Sequence, residues 1–330
     1  MLAHLPDALF VWISFVLLFS WINAAGYAFA GKRLNALPVK YKLNVLLIFA
    51  VFPLIAASLV LFLFTQPDLT RLVIVGHCHG HNCSPHWLHF DDSNLESLIF
   101  NISAIVLSLS ILLLIIKQYM VSKRYLTLIE QFSSTQQNTL NHSAYRVIET
   151  ENALAWCAGL FNPKIFISSA LKQKLTPAEL NLVLKHEYIH ASRLDNLRKW
   201  VIHWCSWCWP ASVKTQFRQD YLYNTELLCD LSAMDSSSAE SVEVLKNSVN
   251  KSLNLASCYC VNNKTKNAKI KPNNKTAQVR VTDITAQIKL LDKADWQLKM
   301  FGFSLVYLTL NIILIILSLH FGHPFLEWLV

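Results

Sequence analysis

Charge is what this sequence has least of. Only 15% of its 330 residues are Asp, Glu, Lys or Arg, against about 25% in an ordinary soluble domain. Hydrophobic residues make up 53%, and mean hydropathy is +0.34. That balance excludes a disordered chain, and equally a water-soluble enzyme wrapped in charge. Acids are scarcer than bases, 21 against 29, for a formal net charge of +8. An excess of that size can signal a nucleic-acid partner, so its location matters. Residues 117–299 carry 24 Lys and Arg against 15 Asp and Glu, a net of +9, and the rest of the chain sums to −1. The basicity belongs to one segment. No internal repeat is visible.

Four runs are long enough to cross about 30 Å of hydrocarbon, which takes roughly 20 apolar residues. They are residues 8–30, 45–64, 98–116 and 301–319. No basic residue precedes the first run, and it is too long for the apolar region of a cleaved signal, so it is expected to be retained. Between the first two runs lie Lys32, Arg33, Lys40 and Lys42 with no acid, whereas the loop 65–97 holds Arg71 against Asp68, Asp91, Asp92 and Glu96. Lys117, Lys123 and Arg124 follow the third run. Positive-inside bias then predicts both termini outside, with the first loop and residues 117–300 in the cytoplasm. The basic excess becomes a topological signature facing anionic lipid headgroups, and direct nucleic-acid binding is not expected. The expected organisation is a membrane domain over 1–116, a cytoplasmic unit over 117–300, and a last span with a short external tail over 301–330.

Within the cytoplasmic unit, Ser133–Ser143 reads as a polar linker without periodicity. Tyr145–Glu149 and Lys164–Ser168 read as short strands joined by a bend that contains Asn and Gly. A helix then starts at Thr176, with Pro177 at its first position and Glu179 completing a capping box. The helical run continues to Trp200. Trp200–Val213 is apolar but too short to span, and reads as an interfacial or core element beside the membrane. Gln216–Met234 is a second helical pattern, Asn254–Thr282 an Asn- and Lys-rich loop, and residues 283–300 a helix leading into the last span.

On the first of these helices stands His186-Glu187-Tyr188-Ile189-His190, an HExxH. Two His at i and i+4 share one helical face, so both imidazoles can ligate one Zn²⁺. Glu187 between them points beside the metal, where it can take a proton from a bound water. Catalytic zinc keeps three protein ligands and one open position. Downstream, Glu226 and Asp230 also share a face at i and i+4. One carboxylate can bind zinc while the other orients a ligand from behind. Asp195 is a further candidate for that supporting role, or else a partner of Arg198 or Lys199.

HEYIH followed by Glu226-Leu227-Leu228-Cys229-Asp230 resembles the BlaR/MecR family of integral membrane zinc metallopeptidases, with its HExxH and later ExxCD. The lead-in from Gly159 to Glu187, the His-to-Asp spacing of HASRLD, and Trp207-Cys208-Trp209-Pro210 are similar too, although Trp209 stands where that family shows Asn. The resemblance covers roughly residues 1–320 and is most specific over 155–235. It implies a mainly α fold: four transmembrane helices with a cytoplasmic, gluzincin-like α+β zinc metallopeptidase domain inserted before the last. By it His186, His190 and Glu226 would bind zinc, Glu187 would be the general base, and Asp230 would support a ligand. It also implies the inner membrane of a bacterium and a signalling protease that cleaves itself or a regulator, such as a transcriptional repressor. Family members that sense antibiotics carry a large penicillin-binding domain after the last span. Here only His320–Val330 follow, so β-lactam sensing is not expected. HtpX-like membrane proteases share HExxH with a later ExxAD; Cys229 and the order of spans favour the first family. The residue that steadies the oxyanion has no signature, and Tyr188, Tyr221 and Tyr223 are the candidates.

A second cluster falls in the external loop: His77, Cys78, His79, His81, Cys83, His86 and His89. The two Cys can close a small disulfide loop in an oxidising compartment, or join the His residues around a soft or borderline metal. Cys205 and Cys208 form a CxxC embedded among Trp residues, a context that does not favour redox activity. The competing functional reading is a non-proteolytic membrane receptor with a structural zinc site and a metal- or redox-reading external loop. A metal transporter is disfavoured, because the spans contain few ionisable residues.

Overall fold

The computed structural model describes residues 5–64, 66, 95–137, 144–234, 282–284, 286–287 and 295–328. The described residues are mainly helical, with one small mixed sheet. Among the described residues, four helices are long and apolar enough to cross a membrane: α1 (Leu5–Ala30), α2 (Val39–Phe64), α3 (Leu95–Gln131) and α8 (Asp295–Trp328). Such helices suit a multi-pass membrane protein, and α3 and α8 leave Leu112, Leu113, Leu114, Leu310, Ile312 and Ile313 exposed, as lipid-facing helices do. α1 packs on α2 and α3. The hydroxyl of Tyr307 on α8 donates to Asn23 Oδ1 on α1 at 2.8 Å.

Each helix outruns its apolar core. α3 has 37 residues, about 55 Å at 1.5 Å per residue, against about 30 Å of hydrocarbon. Residues 117–131 contain no Pro or Gly, so nothing ends the helix where the apolar run ends. Its extension clamps the sheet. Lys164 pairs with the Glu130 carboxylate at 2.8 Å, and Arg146 Nη2 donates to the Glu130 carbonyl at 2.8 Å.

The sheet comprises β1 (Ser133–Gln137), β2 (Ala144–Ile148), β3 (Ala155–Ala158) and β4 (Lys164–Ser168), in the order β1-β2-β4-β3. β1–β2 and β3–β4 are antiparallel, while β2–β4 is parallel. The polar linker expected over Ser133–Ser143 is therefore half strand, and residues 138–143 lie outside the described ones. An edge strand exposed on both faces needs no alternation of apolar residues, so its period is silent. Arg146 instead fixes it, donating from Nε to Ser133 Oγ at 2.7 Å. Between β3 and β4, Gly159 sits at φ +110°, where a Cβ would meet the Asn162 carbonyl at 2.8 Å.

Beyond the sheet run α4 (Ser169–Lys174), α5 (Pro177–Ser192), α6 (Asp195–Cys205) and α7 (Ala211–Ala233). α5 starts on the expected capping box: Thr176 Oγ1 accepts from the Glu179 amide at 3.3 Å, and Glu179 Oε2 accepts from the Thr176 amide at 2.9 Å. The single helix expected through Trp200 is two. The break comes at Leu194, in the left-handed region at φ 54°, ψ 42°. The apolar stretch Trp200–Val213 resolves into the end of α6, a turn through Pro210, and the start of α7.

The helical unit is not merely tethered. One continuous core joins Tyr27, Leu34, Leu43 and Leu46 of the α1–α2 hairpin to Leu182, Ile202, Trp209, Phe217 and Tyr221. Trp209, the departure from the resembled family, is buried there. Its ring lies 4.7 Å from Phe217, which meets Tyr27 edge-on at 4.9 Å.

Candidate metal centre

Three helices meet at one point. α5 brings His186, Glu187 and His190; α7 brings Glu226, Cys229 and Asp230; α6 brings Asp195 and Lys199. The i, i+4 spacing on α5 does what one helical face requires, setting the two imidazole Nε2 atoms 3.1 Å apart. Glu226 faces both imidazoles with a different oxygen to each: Oε2 lies 3.5 Å from His186 Nε2, and Oε1 lies 3.6 Å from His190 Nε2. Two donors bound tetrahedrally at 2.0–2.1 Å from zinc lie about 3.4 Å apart. The three contacts bracket that length, so the residues fit a zinc ion with either Glu226 oxygen, and His186, His190 and Glu226 form a possible metal-ligand group.

Each imidazole is held from behind by a buried carboxylate. Asp230 Oδ1 lies 2.9 Å from His186 Nδ1, and Asp195 Oδ2 lies 2.9 Å from His190 Nδ1. A proton on Nδ1 shared with a carboxylate leaves the Nε2 lone pair free for a cation. Asp195 earns its place through the helix break. Five residues along an unbroken helix would carry it about 140° round from His190. The left-handed Leu194 returns it to the site, where Arg193 Nε donates to its Oδ1 at 3.2 Å. Arg193 and His190 are thus its partners, not the Arg198 or Lys199 that sequence allowed. Lys199 pairs instead with Glu226 Oε1, at 3.5 Å.

Four carboxyl groups surround two imidazoles, which is a cation's environment. Burial disfavours a charged His186, but its hydrogen bond to Asp230 and the facing Glu226 carboxylate outweigh it and raise its pKa to about 10. His190 is raised for like reasons, burial being outweighed by Asp195 and Glu226. Burial would lift Glu226, yet the two imidazoles hold it far below the carboxylate range. Glu187 behaves oppositely: its burial dominates and pushes the carboxyl up, against the pull of His186 and His190.

Sequence reading gave Cys229 no task of its own. Its Sγ lies 3.3 Å from His190 Nδ1 and donates to Asp195 Oδ2 at 3.7 Å. His190, Asp195 and Cys229 make a second possible metal-ligand group, but Nδ1 is the atom Asp195 already holds. Burial, with Asp195 and Glu226 nearby, keeps the Cys229 thiol protonated, so it serves as a donor within the support. The motif spacing was the signal for it. Asn196 was also unforeseen: its amide donates to the Cys157 and Gly159 carbonyls, at 2.9 and 3.2 Å, tying α6 to the end of β3.

Cys205 and Cys208 are both free thiols, and burial pushes Cys205 up to about 11. His77, Cys78, His79, His81, Cys83, His86 and His89 lie outside the described residues, as do Cys258 and Cys260 and the loop Asn254–Val281. No family model, curated protein or solved structure matches the chain.

Proposed function

We propose that the chain is a membrane-embedded, zinc-dependent endopeptidase of the BlaR/MecR type. The observation that carries the reading is the meeting of His186 Nε2, His190 Nε2 and the Glu226 carboxylate, which turns one oxygen to each imidazole, with a buried Glu187 between the two His. Zinc bound there supplies a Lewis acid that polarises the scissile carbonyl and brings the pKa of water to about 7. Glu187 takes the proton of the attacking water and returns it to the leaving amine. Its burial serves that role, because a carboxyl raised toward neutrality both accepts and gives back a proton. Asp195 and Asp230 keep both imidazoles aimed. Three protein donors leave a coordination position for substrate, whereas structural zinc is usually closed by four. A non-proteolytic receptor has no need of a buried Glu between its ligands.

Loop charges support a site at the cytoplasmic face of a bacterial inner membrane, with both chain ends outside. A protease so placed reaches cytoplasmic proteins and its own loops. The substrate is accordingly a regulator, such as a transcriptional repressor, or the chain itself. Comparison of new protein N-termini in cells expressing the wild type and Glu187→Gln tests this. New termini that require Glu187 are expected, and identical sets would overturn the reading.

A further inference from the structure

We propose that Lys199 is the catalytic cation that holds the oxyanion formed on the scissile carbonyl, an inference that rests on the peptidase reading. The three tyrosines available by sequence are placed elsewhere. Tyr188 is 56% exposed, Tyr221 is sealed in the core, and the Tyr223 hydroxyl donates to Asp283. Asn196 is committed to the β3 carbonyls, and Arg193 gives its Nε to Asp195 while its Nη2 is buried and closed to an incoming peptide. Lys199 sits one turn after Asp195 on α6, and residues at i and i+4 share a face. That face therefore sends Asp195 behind His190 and Lys199 over Glu226, its Nζ 3.5 Å from Oε1. Its charge is also felt by Glu187 and by Cys157 on β3, which fits a place on the side of the site that holds the general base. Lys199 and Glu226 are each about 30% exposed, open to an incoming peptide, and their contact is longer than a hydrogen bond.

In the step, the water oxygen bonds to the carbonyl carbon, the carbonyl π pair moves onto its oxygen, and one water proton goes to Glu187. Lys199 donates an N–H hydrogen bond to that oxygen and keeps its own proton. When the C–N bond breaks, the pair returns to the carbonyl and Glu187 protonates the leaving nitrogen. The second water proton stays on the new carboxyl group.

The test uses the full chain purified in detergent and loaded with zinc, as wild type, Lys199→Met and Lys199→Arg. Two probes share one dipeptide: N-phosphoryl-Leu-Trp, with tetrahedral anionic oxygens, and mercaptoacetyl-Leu-Trp, with none. Lys199→Met is expected to weaken the phosphoryl probe about 100-fold, as loss of an oxyanion donor does, and the thiol probe by less than about threefold. Zinc affinity by chelator competition stays constant, and Lys199→Arg falls between. Equal loss on both probes, a matching loss of zinc affinity, or no change at all overturns the proposal; the first two would make Lys199 only a strut for Glu226. A wild type that holds no zinc, or binds neither probe, fails the peptidase reading itself and takes this proposal with it.

Discussion

Asp230 on α7 lies 2.9 Å from the Nδ1 of His186 on α5, and that bond decides which imidazole nitrogen faces Glu226. Asp195 does the same for His190 at the same distance. Removing such a support costs a metal site about 10- to 100-fold in affinity. Asp230→Ala and Asp195→Ala are each expected to weaken zinc by that amount in chelator competition. Glu226→Ala, which would remove a proposed ligand, is expected to weaken it further.

On the proposed reading, protons would compete with zinc. Asp230 and Glu226 raise the His186 pKa to about 10, so throughout the neutral range zinc would bind by displacing a proton. Apparent zinc affinity should rise with pH, about tenfold per unit for each proton displaced. Titrations at several pH values between about 6 and 8 check the slope. Asp230→Asn removes the charge that raises His186 and should flatten it.

Much of this centre was legible in the sequence because it depends on local spacing. The pairs His186/His190 and Glu226/Asp230 lie on single helical faces, and Thr176/Glu179 announce where the first helix begins. Asp195 was nameable as a candidate support, but the helix break that delivers it was not, because it needs a left-handed Leu194 and Leu does not advertise that conformation as Gly does. Ser133–Gln137 carries no period, so a strand looked like a linker. Trp209 and Lys42 act across the chain. Lys42 and its partner Asp220 are 178 residues apart, and no local pattern joins them.

Leu194 offers a backbone test. Its φ of 54° is strained for a side chain and worse for a β-branched one. Leu194→Gly should shift stability by less than about 1 kcal/mol, relief of strain offsetting the entropy of Gly. Leu194→Val should cost about 1–3 kcal/mol, and weaken zinc as Asp195 loses its aim. Thermal melts paired with zinc titrations separate the two effects.

Lys42, 5% exposed at its side chain, meets Asp220 Oδ1 at 2.6 Å, and Tyr27 donates to Oδ2 at 3.2 Å. This ion pair joins α1 and α2 to the helix that bears Glu226. Breaking a buried pair costs about 3–5 kcal/mol, whereas replacing both partners with apolar residues is often neutral. Lys42→Met and Asp220→Leu should each lower the melting temperature, and the double variant should recover most of the loss.

The most direct test of the central claim is made on one detergent-purified preparation, with zinc content and cleavage of a random peptide library measured together. The wild type should hold close to one zinc per chain and cut the library. Glu187→Gln should hold the same zinc and cut nothing. Cleavage that persists in Glu187→Gln, or a wild type that neither binds zinc nor cuts, would contradict a zinc peptidase at His186, His190 and Glu226.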